Sequence, residues 1–217
     1  METLELLKKF CSTDEYERRE FLKRPFDWGT YNGHRVAIAT DGLLLCVAKN
    51  GCEGVEPLDA GRHYIPKNLA SLLLGNPDQK LSIDRLRAAL AKTPMKHDND
   101  CPECCGDGQV KFEYYCEADG NTYHKAAACP YCGGLGVVGD DKAPLVYDTD
   151  YAITIGGQTF APKVIKRLLD ILHSAELLAD WPFCVSTEHK RMKIVTPDYF
   201  IVVAGCYCND KVKQIDY

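Results

Sequence analysis

Two short cysteine motifs carry the clearest chemistry in this 217-residue chain. Each reads Cys-x-x-Cys-x-Gly-x-Gly, at residues 101–108 and 129–136. Two residues between the cysteines let one tight turn present both sulfurs to a single ion, and a four-coordinate zinc takes thiolates at tetrahedral corners. The glycines permit positive φ and let backbone N–H groups approach the sulfurs. The pattern predicts one structural Zn²⁺, held by Cys101, Cys104, Cys129 and Cys132.

Other zinc chemistries need different ligand sets. A catalytic zinc keeps an open position for water, whereas four cysteines close the coordination sphere, so the motifs indicate a non-enzymatic protein. Cys116 and His124 lie between the motifs, and either could replace one cysteine; the alternative is a side chain that simply faces water. A zinc hydrolase would require such a non-cysteine ligand. The deaminase order of His-x-Glu and Pro-Cys-x-x-Cys is absent.

The segment between the two motifs predicts a β-hairpin, with strands at 110–115 and 122–126 around a turn at 117–121. Residues 101–136 are therefore expected to form a zinc ribbon. This ribbon contains five acidic and two basic residues, a balance of −3, so phosphate would be repelled. A protein partner fits better, and the candidate contacts are Tyr114, Tyr123 and Tyr131. The alternative is that these aromatic rings form the ribbon's own small core.

An internal repeat indicates how the rest of the chain is organised. Residues 35–48 match residues 191–204 without a gap, and each segment predicts a strand, a tight turn and an apolar strand buried on both faces. A second sequence similarity relates residues 65–73 to residues 161–169, and both segments predict a helix with proline in its first turn. The predicted class is α+β, built from duplicated β-α-β-β-β units. The predicted domains are a first half at 1–97, an inserted ribbon at 98–142 and a second half at 143–217.

The predicted elements follow from hydrophobic periodicity and turn residues. We expect helices at about 2–10, 66–74, 83–93 and 161–175. We expect a hairpin at about 28–48 and strands at about 149–155, 182–187, 190–196 and 199–206.

Both parts of the chain resemble known families. The Thr40-Asp41-Gly42 turn and the Tyr64–Lys67 segment before a helix resemble the bacterial DNA polymerase III beta sliding clamp, over most of 28–74 and 149–206. The length suffices for about one of three clamp domains, and clamps carry no zinc insert. Residues 101–136 resemble the cysteine-rich region of DnaJ-type co-chaperones, although the His-Pro-Asp turn of a J-domain is absent. The combination also resembles uncharacterised bacteriophage proteins.

Basic residues on two predicted helices are the candidates for DNA contact. In a clamp-like arrangement these helices would face DNA, where phosphate contacts give salt-sensitive affinity. The alternative is an ordinary solvated helix face. The candidate residues are Arg85, Arg87, Lys163, Lys166 and Arg167.

Composition fits a globular protein, with 46% hydrophobic and 26% charged residues and a net charge of −5. No run approaches the roughly 18 apolar residues of a membrane helix, and the acidic start differs from a signal peptide, so we expect a cytoplasmic protein without membrane contact. The expected function is a zinc-containing binding or accessory protein in phage or bacterial DNA replication or metabolism. The alternative is an inhibitor or adaptor that acts on a host protein without touching DNA. A protein partner is expected; DNA and homo-oligomers are left open.

Overall fold

A computed structural model of the chain describes residues 2–57, 73, 75–139, 143–206 and 212–217. The helix predicted at 66–74 falls almost wholly outside these residues. The chain divides into two compact units, unit 1 at Met1–Thr93 with Thr149–Tyr217, and unit 2 at Pro94–Asp148. No helix in the described part of the chain is long and apolar enough to cross a membrane.

The described elements are mostly strands, so the predicted α+β class is only partly supported. The helices are α1 (Thr3–Lys9), α2 (Glu20–Lys23), α3 (Ile83–Ala91) and α4 (Pro162–Ser174). The strands are β1 (Phe26–Tyr31), β2 (His34–Thr40), β3 (Leu44–Ala48), β4 (Gln79–Leu81), β5 (Met95–His97), β6 (Gln109–Cys116), β7 (Asn121–Ala128), β8 (Leu145–Tyr147), β9 (Tyr151–Ile155), β10 (Gln158–Phe160), β11 (Trp181–Ser186), β12 (Arg191–Val195), β13 (Tyr199–Ala204) and β14 (Lys213–Asp216).

Unit 1 is organised around a seven-stranded sheet in the order β1-β2-β3-β13-β12-β11-β4, in which every neighbouring pair is antiparallel. The hairpins β2–β3 and β12–β13 are the two copies of the sequence repeat. They join at the centre of the sheet through β3 and β13, where Cys46 lies opposite Ile201. A smaller sheet, β10-β9-β14, has β14 parallel to β9.

The two repeat hairpins correspond with a shift of one residue from the gapless sequence match. The match places Thr40 on Thr196, but the last pairs before each turn are Thr40 with Leu45 and Val195 with Phe200. Thr40 therefore occupies the place of Val195. A slip of one residue moves every side chain to the other face of a sheet. Because β3 and β13 are buried along nearly their whole length, neither shows the alternation that would have fixed the register.

The turn between β2 and β3 is held to α4. The Asp41 side chain is buried, and its Oδ1 accepts hydrogen bonds from the backbone N–H groups of Leu43 and Leu44, at 2.8 and 2.6 Å. Its Oδ2 lies 3.0 Å from Nη1 of Arg167, whose Nη2 donates to the Cys11 carbonyl at 2.7 Å. The turn, α4 and the end of the α1 segment are thus tied together by one guanidinium.

Candidate metal centre and binding surfaces

The four predicted ligand cysteines lie together in unit 2, with their sulfurs within 4.8 Å of one another. The Sγ–Sγ distance is 3.8 Å for Cys101 and Cys129, and also for Cys104 and Cys132. A tetrahedral zinc with Zn–S bonds of about 2.3 Å requires sulfurs about 3.8 Å apart. All four residues are buried, with Val110 and Val138 packed against them. The geometry of the donor set fits a closed, structural zinc site.

Each cysteine motif donates an equivalent backbone hydrogen bond to the other. The N–H of Cys101 donates to the Gly136 carbonyl at 2.8 Å, and the N–H of Cys129 donates to the Gly108 carbonyl at 2.9 Å. The N–H of Gly108 donates to Cys104 Sγ and that of Gly136 to Cys132 Sγ, each at 3.2 Å. Backbone donors of this kind stabilise thiolates and orient the sulfurs.

The pKa values of two of the clustered thiols are shifted in opposite directions. Burial raises the pKa of the Cys104 thiol to about 12. Burial has the same effect on Cys132, but the N–H of Gly136 and the neighbouring thiols outweigh it and lower that pKa to about 7. A buried cluster cannot hold several thiolates without a compensating charge. A Zn²⁺ ion held by Cys101, Cys104, Cys129 and Cys132 would supply that charge and would cross-link the two motifs.

The alternative ligands lie apart from the cluster. His124 is exposed on the hairpin, with Nδ1 3.3 Å from Oε1 of Glu113. Cys116 is the last residue of β6 and is half-buried. Cys105, which directly follows a ligand cysteine, is exposed and has a φ of 50°. None of the three belongs to the four-cysteine group.

Strands β6 and β7 form the predicted hairpin of unit 2, with eight antiparallel residue pairs. Nearly all of its side chains are exposed on both faces. Tyr114 lies opposite Tyr123, and their rings stack with centroids 5.7 Å apart. Tyr131 is exposed in the second cysteine motif, outside this stacked pair. The tyrosines therefore do not form a ribbon core.

Two of the candidate DNA-binding residues on α4 are paired within unit 1. Lys166 donates to Asp170 one turn later, at 2.6 Å, on the exposed side of the helix. Arg167 forms an ion pair with Asp41 and donates a hydrogen bond to the Cys11 carbonyl. Lys163 is exposed on the same helix.

The candidates on α3 also have partners. The Arg85 guanidinium lies 4.3 Å from the centre of the Tyr217 ring and donates to the Tyr217 carbonyl. Nη1 of Arg87 lies 3.3 Å from Oδ1 of Asp84. A phosphate group would have to compete with these contacts.

A groove on the seven-stranded sheet was not anticipated from the sequence. It has a volume of about 300 Å³ and lies between α2, the central strands and the turns that follow β2 and β11. Its apolar lining includes Phe21, Phe26, Trp28, Ile38, Leu45 and Val202, and Leu43 is 47% exposed beside it. Arg19, Lys190 and Arg191 supply positive charge.

Arg191 is the unusual member of this groove. Only 9% of its surface is exposed, and within the described residues its Nη2 is buried without a hydrogen-bond partner. Burial lowers the pKa of the guanidinium, yet an arginine side chain remains charged at neutral pH. Its sequence signal is a basic residue at the first position of β12, a strand that also contains Lys193. That signal was visible only as a match to Arg35 in the repeat.

Comparisons with known proteins give structural matches alone. No protein-family model and no curated protein matches the chain. Among solved structures, it is similar to the beta sliding clamp of C. crescentus, at 12% identity and a TM-score of 0.43 over 94% of this chain. The DNA polymerase III beta subunit of Pseudomonas aeruginosa matches at 11% and 0.41 over 94%, and that of Streptococcus pneumoniae at 5% and 0.46 over 95%.

The chain spans 63%, 63% and 62% of the lengths of these three clamp chains. They belong to the same family that the Thr-Asp-Gly turn resembles. At these identities and TM-scores, the likeness does not extend to function.

Proposed function

We propose that the protein is a non-enzymatic accessory protein whose unit 1 binds a short segment of a protein partner in the groove on its sheet. The observation that carries this proposal is Arg191, which lines this largely apolar groove and whose buried Nη2 has no hydrogen-bond partner among the residues that the structure describes. Buried polar groups in native proteins nearly always have a partner. A carboxylate is the natural one, because it can accept two parallel hydrogen bonds from a guanidinium.

The groove also has the composition of a recognition site. Ligand sites are commonly apolar concavities of about 300–1,000 Å³ with a few fixed polar groups. Here Trp28 and Leu45 offer apolar contact, while Arg191 would orient an acidic group. We infer that the occupant is a peptide segment with a large apolar side chain beside a carboxylate. The partner we propose is a component of phage or bacterial DNA replication or metabolism.

Replacing Leu43 with glutamate should weaken peptide binding by at least about tenfold, because it places a charge among apolar contacts and close to the site for the peptide carboxylate. Peptides would first be selected from a displayed random library on the wild-type protein. Their binding would then be measured by fluorescence anisotropy with wild type, Leu43→Glu and Arg191→Met.

Leu178→Glu is the matched control, since Leu178 is another exposed leucine, 37% exposed and outside the groove lining. Arg191→Met should weaken peptides that carry a carboxylate more than peptides that lack one. Equal binding to Leu43→Glu and wild type, or a library that enriches no acidic peptide, would contradict the proposal.

DNA contact through α4 is the second candidate, and it is supported by the exposure of Lys163 and Lys166 on one side of the helix. If it occurs, a Lys163→Glu/Lys166→Glu double variant should remove salt-dependent DNA binding, because both phosphate contacts become repulsive. The measurement is anisotropy of a labelled duplex across salt concentrations on protein of known zinc content. Absence of binding by wild type at low salt would leave the peptide groove as the sole candidate of the two.

A further inference from the structure

The charge of the chain is divided unevenly between its two units. By sequence, residues 94–148 contain ten acidic and four basic residues, a balance of −6. The remaining residues contain 21 acidic and 22 basic ones, a balance of +1. Unit 2 therefore accounts for the whole net negative charge of the protein. A partner that docks on unit 2 is favoured if it is basic.

One face of the β6–β7 hairpin combines this charge with exposed aromatic rings. Because paired residues lie on the same face, Phe112, Tyr114 and Tyr123 lie together, and we call this the tyrosine face. Phe112 is 49% exposed and Tyr114 52%. On the opposite face of the described hairpin, Tyr115, at 63% exposure, is the only Phe, Tyr or Trp, and His124 lies on the same face.

A carboxylate stands at the end of the tyrosine face. The Tyr123 hydroxyl donates to Oδ2 of Asp119, and this hydrogen bond, with that from the Asn121 N–H, lowers the Asp119 pKa. Asp119 is therefore ionised at neutral pH, directly beside the stacked rings. A guanidinium is the group that matches this arrangement, because it can stack flat on a tyrosine ring while donating to a carboxylate.

We propose that the tyrosine face of unit 2 docks an arginine-containing, basic segment of a protein partner. Rings of Tyr114 and Tyr123 receive the guanidinium, Asp119 accepts its hydrogen bonds, and the acidic unit attracts the segment over a longer range. Lys125, opposite Phe112, is the one basic residue among the paired residues of this face. It opposes such a partner and gives the proposal a gain-of-binding test.

The probe is a fluorescein-labelled dodecapeptide of repeated Arg-Gly-Gly, titrated by anisotropy with the 217-residue, zinc-loaded protein at low salt. A peptide of repeated Glu-Gly-Gly is the charge control. We expect the arginine peptide alone to bind, with an affinity that falls as salt rises. Tyr114→Ala/Tyr123→Ala should weaken it by at least about fivefold through loss of cation–π contact. Tyr115→Ala on the opposite face should change it less than about twofold.

Charge reversal supplies a second, independent test. Lys125→Glu should strengthen binding at least about threefold, whereas Lys111→Glu, the same net change on the opposite face, should have the smaller effect. Leu43→Glu in unit 1 should leave binding unchanged, which separates this surface from the groove. Retained zinc content confirms that each unit 2 variant has kept its fold, and a circular dichroism spectrum like that of wild type does so for Leu43→Glu.

Three results would overturn the proposal. The first is equal weakening by Tyr115→Ala and by the Tyr114/Tyr123 double variant. The second is tighter binding of the glutamate peptide than of the arginine peptide. The third is a concentration-dependent dimer in sedimentation that the double variant abolishes, since the face would then be occupied by a second copy of this chain.

Discussion

Cys101→Ser and Cys129→Ser should each reduce bound zinc from one ion per chain to none and unfold unit 2. Both sulfurs are fully buried, and each is held by a hydrogen bond from its backbone N–H to the other motif. A structural zinc contributes about 10–16 kcal/mol of apparent binding free energy that the folded state alone can use. The β6–β7 hairpin is exposed on both faces, so it provides no hydrophobic core that could stabilise unit 2 without the metal. The measurements are metal analysis of the purified protein and the backbone-amide NMR signals of the residues in unit 2.

Cys105→Ser is the matched control for this prediction. Cys105 is adjacent to Cys104 in the same motif, but its side chain is exposed and lies outside the four-cysteine cluster. The variant should retain one zinc ion and the wild-type spectrum. Cys116→Ser should behave in the same way. A loss of zinc in either control, or one full zinc ion in Cys101→Ser, would show that the ligand set differs from the one inferred here.

Gly108→Ala should lower zinc affinity by about 10–100-fold, the effect seen when groups that orient metal ligands are disturbed. A Cβ added to Gly108 would lie 2.5 Å from the carbonyl oxygen of Gly134, so the two motifs would have to move apart. The same movement would disturb the hydrogen bond from the Gly108 N–H to Cys104 Sγ. Affinity would be measured by competition with a chromogenic chelator. Gly136 faces Gly106 in the equivalent way, so Gly136→Ala should match it.

Gly133→Ala separates steric conflict from backbone strain. Gly133 has a φ of +64°, close to the +71° of Gly108, but a Cβ there would meet nothing within 4 Å. It should therefore suffer only the strain of a left-handed residue, about 1–2 kcal/mol. If Gly133→Ala reduced zinc affinity as much as Gly108→Ala, the close packing of the two motifs would not be the cause.

The metal site was predictable because its signal is local. Two cysteines and two glycines within eight residues define each turn, and the structure needs only to bring two copies together. The repeat hairpins were predictable as hairpins for a similar reason, since Asp41-Gly42 and Pro197-Asp198 mark their turns. Their exact correspondence was not, because strands buried on both faces carry no alternation to fix the register.

The short strands and the groove depend on contacts that are distant in the sequence. Strands β4, β10 and β14 contain three, three and four residues, too few to show a period. They form as strands because β4 pairs with β11, and β10 and β14 pair with β9. The groove collects side chains from α2, five strands and two turns. Likewise, the basic residues of α4 looked equivalent in sequence, whereas Arg167 is tied to Asp41 and Lys163 is exposed.

The central pairing of β3 with β13 bears on how the chain closes its sheet during folding. Ala48 and Tyr199 are separated by about 150 residues, of which about 55 belong to unit 2. The two ends of unit 2 are pinned to each other, because β5 pairs with β8 and the Asp148 N–H donates to the Pro94 carbonyl at 2.9 Å. Once the two ends of unit 2 are paired, its residues no longer add to the length of the loop that must close when β3 pairs with β13.

The entropy of loop closure grows only with the logarithm of length, so shortening the loop from about 150 to about 95 residues gains only about 0.4 kcal/mol. An insert of this size is therefore almost neutral for the sheet whether or not it is folded. If unit 2 requires zinc to fold, we expect loss of zinc to affect unit 1 only through a small change in its folding rate.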